Sequence, residues 1–182
     1  MKKHLIEFID KTGSKIVIRS VELSDGPNLI EYMGKTAEET RFLLREAGES
    51  LPTIEQEEAF LKSRIESDRD EMLVAYDGDK LVGACSLMQI GENLRYLHRC
   101  GIAIALYREY WGRGIGRKML EALLDIAKEV GYEQAELDVI STNAAAKSLY
   151  EKLGFVKYGV FPNNVKYKDG TYADSEWMMK IL

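Results

Sequence analysis

The stretch between Leu106 and Gln134 decides the architecture. Ahead of it, three strand-like runs follow one another, EMLVAYD (71–77), KLVGACSLMQI (80–90) and LRYLHRCGIAIAL (94–106). Asp77-Gly78-Asp79 marks the turn between the first two. Such short connections admit only antiparallel neighbours. Beyond Leu106, Ile115, Met119, Leu123, Ile126 and Val130 recur at helical spacing, with Gly131 as the stop, before the strand-like QAELDVI. A connection containing a helix is long enough for a parallel crossover. The pattern predicts an α/β fold with one mixed sheet, antiparallel in its N-terminal part and parallel once after the fourth strand, with helices on both faces.

The rest of the chain fits around that core. SKIVIRSVE (14–22) alternates as an opening strand, and a helix is expected from Leu29 to about Lys35. Thr53 with Gln56 forms a capping box ahead of a helix to about Ser67. Another helix runs from about Ala144 to Leu153 and ends at Gly154; two last strands, about Phe155 to Phe161 and Glu176 to Leu182, flank a turn at Asp169-Gly170. Residues 1–182 read as a single domain, without repeat or linker.

Composition excludes several roles. A net charge of −5 argues against a general nucleic-acid binder. Two cysteines and two distant histidines give no metal-ligand spacing. Glu7 and Asp10 interrupt any signal-peptide core near the N-terminus, and no run approaches the ~20 apolar residues of a membrane span. The expectation is a cytoplasmic protein with reduced thiols.

The segment LYREYWGRGIGRKML (106–120) carries an apparent contradiction. Gly112, Gly114 and Gly116 open a helix among Arg113, Arg117 and Lys118. A helix N-terminus already exposes about four unpaired N–H groups and roughly half a positive charge, so cations are misplaced there. A bound anion resolves both features: glycine lets it approach the amides, and the cations complete its neutralisation. The alternative is a flexible loop with solvated basic side chains. No Lys-Ser or Lys-Thr pair follows at the spacing of a P-loop. A dinucleotide fingerprint counted from Gly112 would need Gly or Ala at Arg117, although Asp138 stands where its ribose-binding acid belongs. That leaves a dinucleotide-dependent oxidoreductase as an alternative.

ALYREYWGRGIGRKMLEALL followed by LDVISTNAAAKSLYEKLGF resembles the core of the GNAT superfamily of acyl-CoA N-acyltransferases, and loosely its ribosomal-protein and polyamine enzymes. The family signature [QR]-x-x-G-x-[GA] starts here at Trp111, a departure from Gln or Arg, and continues through Gly112, Arg113, Gly114, Ile115 and Gly116. The resemblance implies that this turn, with Arg117, receives the diphosphate of acetyl-CoA, the cosubstrate, with Lys147 as a further candidate. It implies that the backbone of Ile104, Ala105 and Leu106 meets the pantetheine and the thioester oxygen, where a bulge would splay the strand from its parallel neighbour. Asn143 is a candidate both for helix cap and cofactor contact. Tyr150, by spacing alone a core residue, takes the family's role of general acid for the departing thiolate.

The implied function is acetyl transfer to a primary amine of a small molecule or protein, by direct attack in a ternary complex. The alternative within this fold is an acyl-CoA sensor without transfer activity. His98, which shares strand parity with Ile104, and Asp138 on the neighbouring strand are candidates for the general base, with a structural role the favoured reading for each and neither chosen. The segment TAEETRFLLREAGESLP would border the acceptor in this fold; its acids Glu38, Glu39, Glu46 and Glu49 could attract a cationic amine, although ordinary surface charge is the favoured reading. Homodimers are common among such enzymes.

Overall fold

The computed structural model describes residues 3–182. Eight strands form one sheet: β1 (Leu5–Ile9), β2 (Lys15–Ser20), β3 (Glu71–Asp77), β4 (Lys80–Gln89), β5 (Arg99–Leu106), β6 (Gln134–Ile140), β7 (Val156–Lys166) and β8 (Tyr172–Ile181), ordered β1-β2-β3-β4-β5-β6-β8-β7. The helices are α1 (Gly26–Glu39), α2 (Ile54–Glu66), α3 (Ile115–Val130) and α4 (Ala144–Lys152). Every neighbouring pair of strands is antiparallel except β5 and β6, which the α3 crossover makes parallel.

In β3 the five residues Glu71 to Ala75 are all buried, and in β4 Leu81 to Cys85 are likewise. Alternate residues of a strand face opposite ways, so unbroken burial means that both faces are covered. The mutually packed α1 and α2 lie against β4 and β3, and α3 lies against β3, β4 and β5. The apolar stripe of α3 centres the core: Ile115, Met119, Leu120 and Leu123 are fully buried. At its end Gly131 takes φ +93°, and the N–H groups of Gly131 and Tyr132 close back on Lys128 and Ala127. Among the described residues no helix is long and apolar enough to cross a membrane.

Several expectations change. Residues 5–9 form an edge strand, so the crossover follows the fifth strand in the chain and not the fourth. Leu94 to Tyr96 is a 3-10 turn, and β5 starts only at Arg99. The first helix begins at Gly26, because Pro27 suits a first turn, and it reaches Glu39. Both last strands are longer than their apolar patterns, because they pair with each other well beyond the part of β8 that meets β6. β5 carries no bulge: its register with β4 is even from Cys100 to Leu106.

Leu123→Ala removes a fully buried side chain from the helix that touches three strands. It is expected to lower unfolding free energy by about 2–5 kcal/mol, read as a lower urea midpoint at unchanged m-value.

Candidate active site

The parallel ladder between β5 and β6 is three pairs long, Arg99 with Gln134, Cys100 with Ala135 and Gly101 with Glu136. From there β5 continues only against β4, and β6 only against β8. The strands therefore splay without a bulge, leaving a wedge-shaped opening at the C-terminal end of β5. Tyr107 donates its N–H to Val82 (3.0 Å), and Ile90 donates to Arg99 (3.3 Å). These two bonds fix the odd-numbered residues of β5 as those bonded to β4. The amides of Ile104 and Leu106 consequently point into the opening. Ala105 turns its amide back toward Ala84, its register partner.

The glycine loop stands at the mouth. Gly112 and Gly114 have φ of +73° and +94°, a region disfavoured for residues with a Cβ. Gly114 is the N-cap of α3 and, unlike Thr53 at α2 or Asn143 at α4, offers no side chain to the first-turn amides. That turn also contains no acidic residue. Gly116 solves a packing problem: a Cβ there would lie 3.2 Å from Leu106 Cδ1 and 3.7 Å from both Ile104 Cδ1 and Leu149 Cδ2. Uncapped amides, the free edge of β5 and the inner side of α4 thus meet at one place. The Trp111 indole N–H donates to the Leu106 carbonyl oxygen (2.9 Å), closing the loop against the strand end.

The cations divide. Arg117 pairs with Glu121 (2.8 Å) and Lys118 approaches the same carboxylate (3.6 Å), so two exposed cations share one acid near the loop. The Arg113 guanidinium bonds Asp10 Oδ2 at 2.6 Å, with Asp77 3.6 Å away. Burial pushes the Asp10 carboxyl up, but hydrogen bonds from Thr12, Arg113 and Ser14 outweigh it and hold the pKa at about 2. Arg113 is therefore held by Asp10, and it lines one cavity with Gly114, Arg117 and Lys118. Lys147 is likewise engaged, donating to Glu176 (2.8 Å) and to the Ser141 carbonyl (3.2 Å).

Tyr150 is buried, its ring edge-on to Phe155 with centroids 6.0 Å apart. Burial, with a smaller push from the Asp138 charge, raises its hydroxyl to about 12. Asn143 caps α4 through Oδ1, which accepts from the Ala146 N–H at 3.2 Å. His98 is exposed ahead of β5, roughly 20 Å of strand from Ile104, which removes it as a base for this opening. Asp138 is exposed on β6 and near enough for its charge to act on Tyr150.

On the α1 side, Lys35, Glu38, Glu39, Arg108 and Glu109 line a cavity of about 580 Å³. Glu39 accepts from the Arg108 N–H (2.7 Å), whereas Glu46 serves Lys168 N–H and Glu49 serves Glu46 N–H. The α1–α2 connection is docked on the tip of the β7–β8 hairpin by Arg41 with Asp169 (3.0 Å) and by Lys168 with the Ala47 carbonyl (2.7 Å). Two segments more than a hundred residues apart in sequence thus form one wall.

A dinucleotide site needs consecutive parallel strands around a glycine turn, and this sheet has one parallel pair behind an antiparallel half. Comparison with known proteins agrees with the other reading. Over 85 residues the chain is 36% identical to N-alpha-acetyltransferase 30 of Schizosaccharomyces pombe, covering 47% of this chain and 57% of that protein. A GNAT-family acetyltransferase structure from Streptococcus pneumoniae superposes with TM-score 0.87 at 28% identity, covering 92% and 99% of the two chains. A phosphinothricin acetyltransferase of Sinorhizobium meliloti, solved with acetyl-CoA, matches at TM-score 0.80 and 19% identity over 96% and 89%. The chain thus spans little more than half of the curated relative it matches, while nearly all of it follows the solved folds. The sequence model of the acetyltransferase (GNAT) family matches residues 37–155, from the end of α1 through the glycine loop to Phe155, and the chain belongs to that family.

Proposed function

We propose that this protein transfers an acetyl group from acetyl-CoA to a primary amine. The observation that carries the reading is the uncapped first turn of α3 opening onto the free edge of β5, with Leu149 of α4 packed at the same place. The residues present fit the donor. The amides of Ile115, Gly116 and Arg117 have no intrahelical acceptor and can take diphosphate oxygens. Arg117 and Lys118 supply the excess positive charge beside them.

Acetyl-CoA supplies an activated thioester. The amides of Ile104 and Leu106 supply preorganised donors where the carbonyl oxygen gains charge. The amine nitrogen forms a bond to the carbonyl carbon as the carbon–sulfur bond breaks. Tyr150 gives the departing sulfur its proton, and the second proton lost by the amine nitrogen as the amide forms restores the phenol. With its pKa near 12 the phenol remains protonated at neutral pH, as a general acid must. Asp138, exposed on β6 and close enough for its charge to act on Tyr150, is the carboxylate taken to accept the proton of the incoming ammonium, directly or through water. The similarity to a yeast N-alpha-acetyltransferase supports an N-terminal α-amine as acceptor. Glu38 and Glu39 at the neighbouring cavity suit its positive charge. A cytoplasmic setting agrees with free buried Cys85 and Cys100.

The test is release of free CoA thiol over a panel of amines and peptide N-termini. Acceptor-dependent release is expected, and tight CoA binding without release from any acceptor would make the protein a sensor. Tyr150→Phe should lower kcat by about a hundredfold or more while the KM for acetyl-CoA stays within about twofold. Unchanged turnover in that variant removes the acid role. The wild-type kcat/KM should show no alkaline falling limb from Tyr150 below about pH 11, because the free protein loses that proton only near 12.

A further inference from the structure

We propose that Asp10, in the turn after β1, is a positioning residue of the donor site, acting through Arg113 to hold the glycine loop in its binding conformation. The inference rests on the donor-site reading above. Arg113 lies between two left-handed glycines, the most permissive local sequence a chain can have, so its conformation has to be imposed from outside. The β1–β2 turn does this at both ends of the residue. The Lys11 N–H donates to the Arg113 carbonyl oxygen (3.1 Å), and Asp10 Oδ2 takes the guanidinium Nε–H (2.6 Å).

Asp10 is itself immobilised. Its side chain is fully buried, and Oδ1 accepts from the Thr12 N–H (2.8 Å), the Thr12 hydroxyl (2.8 Å) and the Ser14 N–H (3.0 Å). Around the guanidinium, the Tyr110 ring lies 4.3 Å away, and the Tyr110 hydroxyl donates to Asp77 (3.2 Å). The carbonyl of the next residue, Gly114, accepts the Lys118 N–H (3.2 Å) in the opening turn of α3. The direction of the first-turn amides is thereby tied to the hairpin. Asp10 lies outside residues 37–155, so this clamp is supplied by a part of the chain that the family model does not describe.

If Arg113 were a phosphate ligand merely restrained by Asp10, releasing it would tighten CoA binding. If Asp10 positions the loop, releasing Arg113 weakens binding, because only the clamped fraction of molecules is competent. The two accounts differ in sign. Asp10→Asn retains an oxygen for Thr12 and Ser14 but removes the ion pair. It is expected to raise the calorimetric Kd for CoA and the KM for acetyl-CoA about tenfold, with kcat and acceptor KM within about twofold. Arg113→Lys, which keeps the charge and loses the Nε contact, should do the same, and the double variant should be no worse than either single one. Unchanged or tighter CoA binding in Asp10→Asn overturns the proposal while leaving the donor site standing. Should Asp10→Asn not fold, Arg113→Lys decides by the same criterion. Failure of the wild type to bind CoA instead removes the donor-site reading, and this inference with it.

Discussion

Three rungs of parallel ladder, Arg99 to Gly101 against Gln134 to Glu136, are all that join the two halves of the sheet. The proposed donor site depends on the ladder stopping there. Had it continued, the amides of Ile104 and Leu106 would be spent on β6, as backbone groups inside a sheet ordinarily are. Because it stops, a pair of strand donors is left facing a wedge. The rungs that remain are reinforced on one face by the Arg99 pair with Glu136, whose carboxylate also takes the Gln134 amide at 2.8 Å. The site is thus a local failure of sheet pairing, held open by strong pairing on either side.

Two helix termini use that wedge differently. At α4, Asn143 satisfies the first turn from within, so the helix serves as a rigid carrier for Leu149 and Tyr150. At α3 the cap is a glycine and the amides stay available. Positive charge beside such a terminus is unfavourable by a few tenths of a kcal/mol per exposed group. Glu121 compensates part of it, one carboxylate for two cations, and an anion at the loop would compensate the rest. Arg113, the third cation of that stretch, is paired with Asp10 from the β1–β2 turn.

The glycine loop, α3 with its stop at Gly131, the crossover and α4 were legible because each rests on local rules of spacing, capping and periodicity. The capping box of Thr53 and Gln56 forms as its spacing requires. What escaped the sequence depends on distant partners. β1 is a half-buried edge strand with Glu7 exposed in its middle, so its apolar pattern is weak. Arg113 meets Asp10 across 103 residues of chain, and Lys147 meets Glu176 across 29; no periodicity reports either pair. His98 shares strand parity with Ile104 in the sequence, but the strand begins only after it. The early end of the β5–β6 ladder was expected from family resemblance and was attributed to a bulge; the structure reaches it with an even β4–β5 register.

The central claim is that the bare N-terminus of α3 is a diphosphate site. Its most direct measurement is a pair of calorimetric titrations, one with CoA and one with pantetheine, which keeps the thiol arm but lacks the diphosphate. The account predicts that CoA binds about a hundredfold or more tightly than pantetheine, and that the difference shrinks as salt is raised. Equal affinities for the two ligands would contradict it.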